Sequence, residues 1–191
     1  NRTLAYAINA TAVDTLAKFC KFYKCWLIHV STDYVFDGSL DRPYTHADTP
    51  NPLNVYGETK LAGEKAIQIV GGTYSIVRTS WLYSRYGNNF YTKLQVQLDA
   101  EKTLQVTADQ KGCPTRAEDL AAHLLKGIAN QQLAKGISHY CGSEVMTWLN
   151  LARRLFPNQE VLKCSSSTQK SCPKRQQHLN SLNIYNRCYN D

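Results

Sequence analysis

The 191-residue sequence predicts an α/β protein built on a parallel sheet. Short β-branched apolar runs alternate with longer segments of near-helical apolar spacing, the pattern of helices laid over a sheet. One run, Trp26-Leu-Ile-His-Val30, leads straight into Ser31-Thr32-Asp33. In open α/β sheets such strand ends face the ligand crevice. No segment repeats at a fixed period, which excludes a solenoid or propeller.

The elements follow in order. Residues Leu4 to Tyr23 read as a helix, with Ala7, Ile8, Val13, Leu16, Ala17 and Cys20 at near-helical spacing. The strand Trp26–Val30 comes next. Gly38 to Pro52 is a loop rich in Asp, Pro and Thr. Leu53 to Val70 is helical and closes on Gly71-Gly72, ordinary C-cap chemistry. Thr73–Thr79 is a strand, Asn88–Ala100 a helix and Thr103–Thr107 a short strand. Thr115 to Asn130 is helical, with Thr115 as candidate cap and Glu118 at the capping-box position. Gly136–Cys141 is a strand and Met146–Phe156 a helix. Lys163 to Cys172 is polar and low in complexity, a loop by composition.

Composition narrows the function. No stretch approaches the roughly 20 apolar residues that span a bilayer, so no membrane is expected. The net charge of +7 is uneven: residues 1–125 hold 13 Lys/Arg against 12 Asp/Glu, and residues 126–191 hold 9 against 3. A basic patch meets either nucleic acid or the pyrophosphate of a nucleotide. No groove-reading motif accompanies it, so no nucleic acid is expected. Seven cysteines with no C-x-x-C pair suit reduced thiols in a cytoplasmic protein. Their spacings match no zinc pattern, and no metal ligands are assigned.

The chemistry centres on Tyr56 and Lys60 in Asn51-Pro-Leu-Asn-Val-Tyr-Gly-Glu-Thr-Lys60. Four apart on a helix, they share one face. An ammonium near a phenol lowers its pKa and readies it for proton transfer. Thr32, at a strand end, supplies a hydroxyl that points either to a crevice or to local backbone.

STDYVFDG, PLNVYGETKLAGEKA, RTSWLY, GNNF and DQKGCPT occur in order along most of the chain. They resemble the extended short-chain dehydrogenase/reductase superfamily, and within it the dTDP-4-dehydrorhamnose reductase family. The resemblance implies a Rossmann-like parallel sheet, here the C-terminal half of a nucleotide-binding domain, with a smaller substrate-binding lobe. It implies NADPH or NADH as cofactor and a nucleotide-sugar ketone as substrate. Mg2+ and a homodimer come with the resemblance alone. Tyr56 would protonate the carbonyl oxygen, Thr32 orient it, and Lys60 tune Tyr56 and hold the nicotinamide ribose. Ser31 joins Tyr56 and Lys60 as cofactor contacts. Asp33, Tyr34, Trp81 and Asn89 are the further substrate contacts, and Asn9 falls where the superfamily places an active-site Asn. Residue-level alternatives stand beside these roles: a turn cap for Asp33, packing for Trp81, capping for Asn89, and a backbone-bonded amide for Asn9. Gly112-Cys-Pro-Thr115 is either a substrate-lobe loop or a turn before a helix.

The same resemblance shows departures. No G-x-x-G-x-x-G phosphate cradle occurs, so the sequence reads as lacking the first half of the nucleotide-binding fold. The expected division is residues 1–110 for the partial dinucleotide-binding region and 111–191 mainly for the substrate lobe, interleaved with the sheet. Where the family carries an Arg-Pro pair, this chain has Cys172-Pro173-Lys174-Arg175, then Leu179. Two other readings stay open on the residues. One is a non-catalytic regulatory subunit, like the beta subunit of methionine adenosyltransferase. The other is a nucleotide-sugar epimerase or a related reductase.

Overall fold

The computed structural model describes residues 1–164. The expected Lys163–Cys172 loop, beyond its first two residues, and the Cys172–Leu179 motif lie outside the described residues.

The first helix begins as α1 (Arg2–Tyr6), passes through one π turn at Ala7–Thr11, and continues as α2 (Ala12–Phe22). β1 (Leu27–Thr32) runs into a 3-10 turn at Asp33–Val35. α3 (Val55–Val70) leads to β2 (Tyr74–Thr79) and the short β3 (Leu82–Tyr83). α4 (Phe90–Asp99), β4 (Leu104–Thr107), β5 (Lys111–Gly112) and β6 (Thr115–Arg116) precede α5 (Ala117–Ala129). β7 (Gly136–His139), β8 (Met146–Thr147), α6 (Trp148–Leu155) and β9 (Val161–Cys164) complete the described chain.

Two compact units emerge. Of the described residues, the first comprises 1–37, 45–79 and 123–140, and the second 38–44, 80–122 and the chain from 141 onward. In the first, β1, β2 and β7 form a parallel sheet in the order β1-β2-β7. From Ser75 to Thr79 the middle strand β2 is buried throughout. That is how a central parallel strand reads when elements cover both faces. Val13, Ala17, Ile67 and Ile76 form the core between helices and sheet.

α3 starts where Asn54 accepts a hydrogen bond from Gly57 N and ends on Gly71, at φ 72°. It lies against the π turn so closely that a Cβ on Gly63 would sit 2.1 Å from the Asn9 carbonyl oxygen. Backbone cannot yield as a side chain can. Gly63→Ala should therefore cost about 1–3 kcal/mol, the usual penalty of overpacking, read as a lower urea midpoint. A midpoint within error of wild type would mean that the helices separate freely.

The second unit has its own core of Leu94, Leu104, Val106, Leu149, Ala152, Phe156 and Val161. β4 pairs with β9 in parallel and β5 with β8 antiparallel. The structure corrects one cap. Thr115 does not start a helix, because its pairing with Leu82 takes it into β6. Its hydroxyl donates to Cys113 O (3.3 Å) and accepts from Gly142 N (3.2 Å). The two-residue strands β3, β5, β6 and β8 and the π turn left no readable sequence period, being too short to show one.

Candidate functional site

The carboxyl end of β1 carries Thr32 in extended backbone, φ −139°. Its hydroxyl accepts from Tyr34 N (3.2 Å) and donates to Asp33 Oδ1 (3.1 Å). The Thr32 hydroxyl is near enough to the Tyr56 phenol to pull its pKa down against burial. Tyr56 is about half exposed (49%), and its ring meets Tyr34 edge-on at 5.7 Å. Thr32 and Asp33 are buried. A phenol open to solvent on one side and beside a buried hydroxyl on the other suits proton transfer to a bound oxygen.

Lys60 sits one turn along α3 and is nearly buried. Its ammonium donates to Val30 O (2.8 Å) and lies 3.2 Å from His29 Nε2. Burial lowers its pKa, and Glu64 acts the other way. The expectation that Lys60 draws the Tyr56 pKa down is corrected. Tyr56 is pushed up, first by burial and also by the Asp33 charge, while the Thr32 hydroxyl acts oppositely. The Lys60 ammonium is engaged with β1.

Ser31 also differs from expectation. Its hydroxyl is buried and donates to Glu64 Oε1 at 2.5 Å, so it does not present a cofactor-facing hydroxyl. Glu64 takes two further bonds from Arg78, Nε to Oε1 (3.0 Å) and Nη2 to Oε2 (2.7 Å). Sequence reasoning passed over Glu64, Arg78 and His29. Glu64 had a signal: eight residues after Tyr56 and four after Lys60, it continues the same helix face. Asn9 lies in the π turn, and its amide donates to Thr59 Oγ1 (3.1 Å), which donates to Tyr56 O (2.9 Å). Its side chain therefore bonds to a side chain, not to backbone, and braces the first turn of α3. Single π turns inside helices recur at functional sites.

Two groups beside this centre, the buried Asp33 and the half-buried His29, titrate in opposition. Burial pushes the Asp33 carboxyl up to about 7, against hydrogen bonds from Thr32 and the backbone. Burial, then the Lys60 charge, pushes His29 down to about 4. A raised carboxyl favours the folded state at low pH, and that contribution fades as pH rises from about 4 to about 7. A lowered imidazole favours the folded state at high pH, and that contribution fades as pH falls from about 6.5 to about 4. The two slopes oppose each other between pH 4 and 6.5. Stability of Asp33→Asn should therefore rise with pH across this window relative to wild type, and stability of His29→Gln should fall. Urea titrations at pH 4, 5, 6 and 7 test this; parallel curves for all three proteins would contradict it.

The second unit carries Trp81 and Asn89. Trp81 adopts φ 46°, costly for a bulky residue and typical of sites where the surroundings impose the strain. Its ring stacks on Trp148 at 3.5 Å and 2°. Trp148 in turn meets Phe90 at 4.4 Å and donates Nε1–H to Gln110 Oε1 (3.1 Å). A Cβ on Gly112 would fall 2.3 Å from Trp81 Cε2, so only glycine fits beside the ring. Asn89 caps α4, accepting from Tyr91 N (3.0 Å) in a capping box with Thr92. Its amide donates to Tyr86 O (2.7 Å), so its side chain is committed to local structure. The run Gly112–Thr115 bridges β5 and β6, and Cys113 O accepts from Ser80 Oγ (2.9 Å).

Among the described residues no group of three or more His, Cys, Asp or Glu gathers as a metal site, and no helix is long and apolar enough to cross a membrane. Among the described residues, Cys20, Cys25, Cys113 and Cys141 form no disulfide.

The family described as RmlD substrate binding domain matches residues 1–181. The chain is 40% identical over 192 residues to dTDP-4-dehydrorhamnose reductase of Escherichia coli K12, covering 94% of this chain and 64% of that protein. It is 43% identical over 157 residues to the enzyme of that name from Salmonella typhimurium, covering 80% and 52%. The chain thus spans less than two thirds of these relatives. Among solved structures, the Clostridium acetobutylicum ortholog of that reductase superposes with TM-score 0.85 at 33% identity, covering 96% of this chain and 66% of that one. The Bacillus anthracis reductase, solved in complex with NADP, gives 0.79 at 37% identity, covering 87% and 60%.

Proposed function

The chain belongs to the RmlD substrate binding domain family, and from that premise we propose that the whole protein is an NAD(P)H-dependent oxidoreductase. It reduces the C4 ketone of dTDP-4-dehydro-6-deoxy-L-mannose to give dTDP-L-rhamnose. The observation that carries this reading is the half-exposed Tyr56 on the first turn of α3, beside Thr32 at the end of β1, with Lys60 one turn further along α3. The names of the relatives, and the NADP complex of one of them, support it.

The residues present fit a nicotinamide cofactor. Lys60 uses two of its three N–H donors on β1 and keeps one for a ribose hydroxyl. When bound, the reduced nicotinamide supplies the hydride. Tyr56 delivers the proton to the carbonyl oxygen as it becomes an alkoxide. Thr32 holds that oxygen by turning its single O–H to it from Asp33 Oδ1, which keeps the hydroxyl in place until substrate arrives. In the first unit Tyr34 and Asp33 are the proposed sugar contacts; Trp81 is the candidate that the second unit offers. Since the Asn89 side chain caps α4, any diphosphate contact there falls to backbone N–H groups of the first turn. The first unit then belongs to the dinucleotide-binding part and the second to the substrate lobe. A cytoplasmic location fits cysteines that form no disulfide among the described residues. A homodimer belongs to the same reading, and Leu4, Ile8, Leu16 and Phe19, each more than half exposed, offer it an apolar stripe.

The test is direct. The whole protein, given dTDP-4-dehydrorhamnose, should oxidise NADPH or NADH with one dTDP-L-rhamnose formed per cofactor consumed. A protein that binds the dinucleotide yet never turns over would instead favour the regulatory-subunit reading.

A further inference from the structure

Lys60 is held more tightly than proton tuning of Tyr56 requires. An ammonium has three N–H donors and no acceptor. One N–H goes to Val30 O (2.8 Å), and the nitrogen lies 3.2 Å from His29 Nε2. Both partners come from neighbouring residues of β1. An imidazole nitrogen can face an ammonium at this distance only if it carries no hydrogen, which leaves the ring proton on Nδ1.

We propose that His29 is a positioning residue for Lys60: a neutral, Nδ1-protonated imidazole whose Nε2 takes one ammonium N–H, so that with the Val30 carbonyl only one N–H is left, aimed at a bound ligand. The identity of that ligand as a dinucleotide rests on the function proposed above; the His29–Lys60 bond does not. The surrounding groups leave the pair to itself. Lys60 is the charged group facing His29 from α3, and Glu64, one turn further, is engaged by Ser31 and Arg78. On β2, the register partner of His29 is the apolar Ile76. A ring whose pKa lies near 4 accepts a proton from Lys60 poorly near neutral pH, so the contribution is geometric and not a proton relay.

The experiment has two arms. In the first, ring-nitrogen NMR of the chain reports the His29 tautomer, and the lysine Cε signals report Lys60. The expected result is an unprotonated Nε2 and a protonated Nδ1 from pH 6 to pH 8, with a Lys60 signal that shifts in His29→Phe and recovers in His29→Gln, whose carbonyl can accept. An imidazolium at pH 6.5, a proton on Nε2, or a Lys60 signal indifferent to both variants overturns the proposal. The amide spectrum of each variant establishes that it is folded, and His29→Gln keeps the test decisive if His29→Phe is not. In the second arm, KM for the dinucleotide in the whole protein should rise about tenfold in His29→Phe, with kcat within about threefold, as for loss of uniform binding. The Gln variant should restore most of it, and an unchanged KM in His29→Phe contradicts the positioning role. If the wild-type protein never turns over while the tautomer signature is present, the proposed function falls and the His29–Lys60 bond stands.

Discussion

Tyr56→Phe should lower kcat of the whole protein by about 10²–10⁴, the range contributed by a positioned general acid, while leaving the KM for dinucleotide nearly unchanged. The reasoning starts from what the substitution removes. Phe keeps the ring and its edge contact with Tyr34 at 5.7 Å, and it keeps α3 capped by Asn54. What disappears is the phenol hydroxyl of a half-exposed residue beside Thr32. Loss of kcat at constant binding is the mark of a group that acts on the transition state. Single-turnover measurements with NADPH would separate this from slowed product release. A variant that turns over within a few-fold of wild type would remove Tyr56 from the chemistry. Thr32→Val provides the companion result. It abolishes the hydroxyl between Tyr56 and Asp33 while retaining a β-branched side chain at the strand end, and it should lower kcat by a smaller factor.

Much of this centre was legible because its parts lie close together in sequence. Tyr56 and Lys60 share a helix face by spacing alone, and Thr32 ends an apolar run that only a strand explains. The motif order then named a family, and the matched family agrees. What spacing could not reveal was where Lys60 points. Its partners, His29 and the Val30 carbonyl, lie about thirty residues upstream, and only the packing of α3 on β1 brings them together. The same holds for Ser31. Read along the chain it looks like another site hydroxyl, but the strand's alternation turns it under α3 onto Glu64. Asn89 shows the opposite outcome: its capping alternative was visible beforehand and is what the backbone uses. The stack of Trp81 on Trp148 joins residues from different segments of the second unit, so neither local period nor motif could announce it.

The largest stability effect is expected at Arg78. This side chain is 1% exposed and Glu64 is 0% exposed, and together with Ser31 they form a buried network. Arg78 also lies over the Phe36 ring at 5.0 Å, while its Nη1 has no hydrogen-bond partner. A buried ion pair of this kind contributes little net stability relative to apolar residues of similar volume, because desolvation offsets the attraction. Removing one member is a different matter, since it strands the other charge. Arg78→Met should cost about 3–5 kcal/mol, and Glu64→Leu a similar amount with the Ser31 hydroxyl left without its acceptor. The double variant Glu64→Leu, Arg78→Met should recover most of that loss, giving strongly non-additive behaviour in a double-mutant cycle. Additive losses in urea midpoints would mean that packing, and not stranded charge, sets the cost. The network also bears on the chemistry. Glu64 is one turn beyond Lys60 and Ser31 immediately precedes Thr32, so the buried bond between them fixes α3 against β1 at the level where Tyr56 meets Thr32. The double variant, though stable, should therefore lose kcat, because apolar contact sets volume without setting register.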